Sequence, residues 1–438
     1  MKISPEYEKL HALWEKALFG SFLIMPLKYD GLPKEDYILR YFEPVTLDTP
    51  DIGENVKDMI NLKGSGNIGR AYSISRVLLE QEVLGERYER LTVRKEGVGG
   101  EFSFLEGYLY VFHTKIAFLC VGIRYDALTT LYNICNPGYA DATATADATA
   151  FTGHRRDGSV QAFSLEKALC AFAEKCGMRK FFDGKSSAIL ESYVYNLALL
   201  PERFESIEIM RQATFNLHLM EDLTKPAEDE SEEDLRYVYA VKDQSLGAYS
   251  WGCCVSSQTM SYVRAHPSMN LDAEMGEQAE NGLPVVLIAL YEKFTCLRFT
   301  ELLRQSADRD KHQLDALKNM MLKFQAYGTV APANLSRWHN IKQLYADLLT
   351  VNDTFSAVAD IDNKLKILAE QQQVLEQRKN DTVSGIITVF GVVSIVDSML
   401  SIEQSLCCGQ PLDWITVGGT LAALGLVITV MLRKLKGN

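Results

Sequence analysis

The chain is 438 residues long, 47% hydrophobic and 23% charged, with a formal net charge of −12. That excess of acid excludes nucleic acid as the main partner, because a phosphate backbone calls for a basic face. The length suffices for one large domain or two modest ones with real hydrophobic cores.

Met1 to Lys16 carries charges of both signs rather than the apolar core of a signal peptide, so the body is expected to stay unexported. Phe19 to Leu27 and Tyr108 to Tyr125 are dense in aromatic and aliphatic residues and read as strands. Gly64, Gly66 and Gly69 form a G-x-G-x-x-G match ahead of a predicted helix over Ala71 to Gln81. Such glycines would let backbone amides approach a phosphate, but Asp58 to Lys63 makes no convincing strand, and a plain turn gives the same pattern. Gly138 to Gly153 is a low-complexity Ala/Thr/Asp tract, read as an exposed loop or an edge segment. His154, Arg155 and Arg156 form the densest basic spot of the body. They suit either an anionic ligand or an ordinary surface loop.

Ser164 to Cys176 has apolar residues at helical spacing. Six acids crowd into the seven residues Glu228 to Asp234, a composition that belongs to a solvated loop. Leu235 to Val241 and Gly247 to Val263 read as strands, and Pro284 to Leu303 as a buried helix. The body is therefore expected to be α+β, in two parts, 1–155 and 156–310. Of nine cysteines, Cys120, Cys135, Cys170, Cys176, Cys253, Cys254 and Cys296 fit reduced thiols, mostly buried. No G-x-S-x-G, H-E-x-x-H or Walker A motif occurs, so no catalytic residue is assigned and the chain is not read as an enzyme.

From Leu314 onward the pattern is helical, broken at Gly328 and Pro332. A stalk (311–381) carries an apolar stripe through Ile341, Leu344, Leu348, Val351, Phe355, Val358, Ile361, Leu365, Leu368 and Leu375. Without Pro or Gly from Ser336 to Ser384, it predicts one helix continuing to Ile402, roughly 100 Å long and packed against copies of itself.

Two apolar spans follow, Thr382 to Ile402 and Trp414 to Leu432, each close to the ~20 residues that cross a bilayer as a helix. Lys/Arg lie only on the outer flanks (Arg378, Lys379; Arg433, Lys434, Lys436). The expectation is a multi-pass protein of the inner membrane with both termini cytoplasmic: transmembrane helix 382–402, external loop 403–413, transmembrane helix 414–433 and basic tail 434–438. Cys407 and Cys408 fall in that loop. Asn380, Ser384, Thr388, Gly391, Ser394 and Ser398 form a polar or small stripe along the first span. They either glue helices together or line a pore, with Asp397 as the selectivity candidate at its outer mouth.

A cytoplasmic body, long stalk helix, two C-terminal spans and basic tail resemble the CorA family of metal-ion transporters, best over residues 310 to 438. The resemblance implies a funnel of five subunits, the first span lining the pore and the second outside it. The Gly-Met-Asn motif of that family is missing, and Ile395-Val396-Asp397-Ser398-Met399-Leu400-Ser401 stands in its place. The chain also looks like the CorA-like effectors linked to type III CRISPR loci, which implies an antiviral channel gated by an adenine-nucleotide messenger. The alternatives are a constitutive Mg2+-type divalent-cation transporter, and a membrane-anchored ligand-binding protein without a pore. The expected partners are membrane lipid, further copies of the chain, and a metal ion or small nucleotide.

Overall fold

The computed structural model describes residues 5–61, 68–135, 150–182, 193–220, 237–265, 268–306 and 311–407, with residues 422 and 425. In chain order, helix α1 (Pro5–Trp14) leads into strand β1 (Leu18–Lys28), followed by α2 (Glu35–Tyr41), β2 (Glu43–Val45), α3 (Glu54–Ile60) and β3 (Gly69–Ile74). Next come α4 (Arg76–Leu84), β4 (Arg90–Lys95), β5 (Val98–Phe112), β6 (Ile116–Tyr125) and α5 (Leu128–Cys135). β7 (Ala150–His154), β8 (Val160–Phe163), α6 (Leu165–Lys175), β9 (Arg179–Lys180), β10 (Tyr193–Leu200) and α7 (Ile207–Leu219) continue the chain. The last strands are β11 (Val238–Asp243), β12 (Ala248–Val255) and β13 (Thr259–Ala265). Helices α8 (Leu271–Glu280), α9 (Gly282–Ser306), α10 (Lys311–Lys323), α11 (Pro332–Leu335), α12 (His339–Val351) and α13 (Thr354–Cys407) complete it.

β1 is buried along nearly its whole length, as are β6 and β10, because these strands sit mid-sheet with helices on both faces. One 13-stranded sheet runs in the order β11-β12-β13-β10-β1-β6-β5-β4-β7-β8, with β2, β3 and β9 pairing beside this path. Most pairs are antiparallel; β10 and β13 are parallel. Strands from 1–155 and from 156–310 thus share one sheet.

The two faces can be told apart at glycines. A side chain at Gly20 of β1 would meet Met275 Sδ and Leu271 of α8, so α8 lies close on that face. A side chain at Gly252 of β12 would meet Thr214 Oγ1 and Met210 of α7, so α7 covers the other face. On the α7 face, Ser21 Oγ donates to Asn196 Oδ1 (2.8 Å), and Asn196 Nδ2 donates to Leu217 O and Ser261 Oγ (3.4 Å each). That chain of bonds satisfies buried polar groups on neighbouring strands.

The chain divides into two units, Met1–Ile361 and Asp362–Asn438. The first is a mixed α/β body, and the second holds the rest of α13. No helix among the described residues is long and apolar enough to cross a membrane. This overturns the transmembrane helix expected over 382–402, and with it the CorA-like funnel as fold class and the multi-pass inner-membrane placement. Taken along its whole length α13 is a mixed helix, with Asp360, Asp362, Lys364, Lys366, Glu370, Arg378 and Asp381 ahead of the apolar stretch and Asp397 within it. Of the second expected span, only residues 422 and 425 are described.

Two further expectations are corrected. The predicted helix over Ala71 to Gln81 is β3 followed by α4, because Gly69 to Ile74 pairs in register with Gly107 to Phe112. The predicted continuous helix from Ser336 is cut at Asn352 and Asp353. Asp353 turns left-handed (φ 51°), and Asn352 Nδ2 caps the end of α12 by donating to Leu348 O (2.8 Å). Lys293 Nζ of α9 donates to Asn352 Oδ1 (2.8 Å) and pins the break. The low-complexity tract up to 149 and the acidic run 228–234 lie outside the described residues.

Candidate functional site

At the β11 end of the sheet, alternation brings aromatic side chains to one face. Cross-strand register sets Tyr262 beside Cys253 and Cys253 beside Tyr239, while Tyr195 stands beside Met260. Trp251 lies two residues before Cys253 and therefore shares its face, the one opposite α7. Trp251 and Tyr262 are tilted neighbours with ring centroids 6.0 Å apart.

This face is the floor of a cavity of about 380 Å³. One wall is the α8–α9 junction, with Glu277, Gln278, Asn281, Gly282 and Val285. The other is the first part of α12, with His339, Asn340, Ile341, Gln343 and Leu344; Asp51 completes the rim. Four strands, three helices and the loop before α3 meet there, all within the first unit.

The walls are held by hydrogen bonds rather than by packing alone. Tyr195 OH donates to Gln278 Oε1 (2.5 Å), and Gln278 Nε2 donates to Glu274 Oε1 (3.1 Å). Thr49 Oγ1 donates to Asn281 Oδ1. On the α12 side, Tyr239 OH donates to Asp347 Oδ2, and Gln343 Nε2 donates to Asp347 Oδ1 (3.1 Å). Trp338 Nε1 donates to Asp51 Oδ1 (2.7 Å), Ser336 Oγ donates to Asp51 O, and Gly53 N donates to Leu335 O (2.7 Å). Behind α12, Tyr345 OH donates to Glu292 Oε1 of α9 (2.7 Å).

Burial raises the Tyr195, Tyr239 and Tyr262 phenols, with Asp347 adding to the rise at Tyr239. Burial likewise raises the Cys253 thiol well above its ordinary range, so it stays protonated and behaves as a small apolar group. The cavity therefore offers neutral aromatic faces, a thiol, carboxamides, the His339 imidazole and two acids, and no Lys or Arg among the described lining residues.

The residues singled out in the sequence lie elsewhere. Gly64 and Gly66 fall outside the described residues, and Gly69 opens β3, where any Cβ would meet the Phe112 ring. Its lack of a side chain serves packing. His154 ends β7 and lines a second, polar cleft of about 440 Å³ with Arg90, Thr92, Arg94 and Thr152. Arg155 turns away to Glu86, its Nε donating at 2.6 Å, and lies over the Tyr88 ring. Arg156 is exposed. Asn380, Ser384, Thr388 and Gly391 lie along α13, where Thr388 Oγ1 donates to Ser384 O (2.7 Å). Ser394, Asp397 and Ser398 belong to the same helix, but their side chains are outside the described set. Seven cysteines are free thiols, all but the half-buried Cys170 fully buried.

Sequence reasoning missed the aromatic cavity. The one available signal was the period-two spacing of Trp251/Cys253 and Met260/Tyr262, which marks a shared face but not what covers it. No family model, curated protein or solved structure matches the chain, and so none identifies it with the CorA family.

Proposed function

We propose that the first unit is a small-molecule-binding module whose ligand lies between the aromatic floor and α12. The observation that carries this reading is the convergence of Tyr195, Tyr239, Trp251 and Tyr262 on one concavity of about 380 Å³. A cleft of that size, mostly apolar with a few placed polar groups, has the character of a ligand site. α12 supplies one wall and is followed, after the Asn352–Asp353 break, by α13. A ligand that prefers one placement of α12 would shift that placement, which is the requirement for a sensor.

The channel and transporter readings need membrane-crossing helices, and the described residues include no helix long and apolar enough. The metal reading has no group of three His, Cys, Asp or Glu able to hold an ion among the described residues. An adenine-nucleotide messenger would bring phosphates into a cavity whose described lining holds no Lys or Arg.

The test is a thermal-shift screen of small organic molecules on the full chain beside a Leu344→Trp variant, whose larger ring fills the cavity. True ligands should stabilise the parent and lose at least about tenfold in affinity (~1.4 kcal/mol) in the variant. Hits that stabilise both proteins equally would sink this cavity as the binding site.

Self-association is proposed for α13. Val389, Phe390, Val393 and Met399 are 59–69% exposed, far more apolar surface than one isolated helix ordinarily presents to water. Light scattering on the full chain should show an oligomer, and a monomer at micromolar concentration would refute the proposal.

A further inference from the structure

This inference rests on the cavity being a ligand site and concerns the charge of what it takes. Asp51 and Glu277 line the cavity, and Glu274 and Asp347, each 8% exposed, stand directly behind its two walls. Arg264 is a cation beside Glu274 and Glu277, and it is already engaged: its guanidinium donates to Glu274 Oε2 (2.6 Å) and Glu277 Oε2 (2.9 Å). Asp347 is held by a phenol and a carboxamide, not by a positive side chain. Two acids thus line the cavity and two stand behind it; among the described lining residues only His339 can carry a positive charge, and Arg264 is committed to Glu274 and Glu277.

The rings act in the same direction. Neutral Tyr and Trp faces carry a negative quadrupole, so they attract a cation placed over them and repel an anion. A phosphate or carboxylate entering here would lose its hydration and meet, among the described lining residues, no Lys or Arg. An ammonium would exchange water for π faces and carboxylate oxygens, and the acidic surroundings would raise its local concentration before contact.

We infer that the cavity binds an organic cation: an amine or related positive group carried on a flat apolar body that stacks against Trp251 and Tyr262.

The test uses three molecules with one body and three charges: tryptamine (cation), tryptophol (neutral) and indole-3-acetate (anion). Calorimetry on the full chain should rank them in that order, tryptamine at least about tenfold tighter than tryptophol. Its affinity should fall as salt rises from ~0.05 to ~0.5 M, since exposed charges are screened over that range. Glu277→Gln should weaken tryptamine several-fold and leave tryptophol unchanged; Arg264 keeps Glu274, which holds the fold. If all three bind alike and Leu344→Trp removes them, the charge inference is wrong and the cavity still binds ligands. If indole-3-acetate binds tightest, the inference is reversed. If none binds at millimolar concentration, the cation inference and the cavity reading both fall.

Discussion

Arg298→Ala should lower the unfolding free energy by ~3–5 kcal/mol, with the urea midpoint falling and its slope unchanged. Arg298 lies on α9 with its side chain fully buried. Its NH2 donates to Asp30 Oδ1 (2.6 Å) and Tyr29 O (3.3 Å), and its NH1 to Glu301 Oε2 (2.8 Å). Lys28 Nζ, also buried, donates to the other oxygen of Glu301 (3.0 Å), and Arg179 reaches Asp30 Oδ2 (3.0 Å). These bonds fasten α9 to the end of β1, the central strand.

The hydrogen bond from Arg298 holds the Asp30 carboxyl below its usual range, with Arg179 adding to the effect. At Glu301 burial pushes up, but Lys28 and Arg298 together outweigh it and the carboxyl ends lower. Removing the guanidinium leaves a carbonyl and one oxygen of Glu301 in want of a donor, and a hole where the largest fully buried side chain had been. Asp30→Asn is the discriminating control. Asp30 is 62% exposed, so its loss should cost no more than ~1 kcal/mol. Equal losses for the two variants would show that the ion pair, and not the buried anchor, carries the stability.

The elements that were legible in the sequence are those whose burial repeats with the backbone. β1, β6 with the end of β5, α6 and α9 have runs or stripes that only a strand or a helix would bury, and they fall where expected, while the first part of β5 (98–107) goes unread. Ala71 to Gln81 misled because a short strand feeding directly into a helix keeps a mixed periodicity, and pairing with β5 decided it. The break at Asn352 and Asp353 carries no Gly or Pro. It is made by a left-handed aspartate and by Lys293 from a helix some sixty residues earlier, so a local reading passes through it. The stretch 382–402 misled through its count of apolar residues, which set the expectation of a span. The cavity was invisible for a different reason: its lining comes from Asp51, from strands between Tyr195 and Tyr262, and from α8, α9 and α12. Only the sheet order and the helix that covers it bring them together.

Glu292→Gln should remove a pH dependence that the native protein carries between about pH 4.5 and 7. Glu292 is buried on α9, where its Oε1 accepts from Val330 N–H (2.9 Å) and Tyr345 OH (2.7 Å). Burial pushes its carboxyl up from 4.5 to about 7, against the pull of these two donors. The folded state therefore holds a proton that the unfolded state has released across this window. Stability must fall as pH rises from ~4.5 through ~7, then level off. The shift corresponds to roughly 3 kcal/mol at ~1.36 kcal/mol per pH unit.

Glutamine keeps an acceptor for both donors and cannot ionise. Glu292→Gln should match the native protein near pH 4 and exceed it by roughly 3 kcal/mol at pH 8. His218, which burial pushes down to about 4, gives the opposite slope between ~4 and 6.5, but both proteins share it and the difference cancels it. Urea unfolding of the pair at both pH values measures the effect, and parallel pH profiles would refute it. Because Tyr345 follows His339 to Leu344 on α12, this carboxyl stands behind the cavity wall. Ionising it places a buried negative charge against Tyr345 of α12, the helix that supplies that wall.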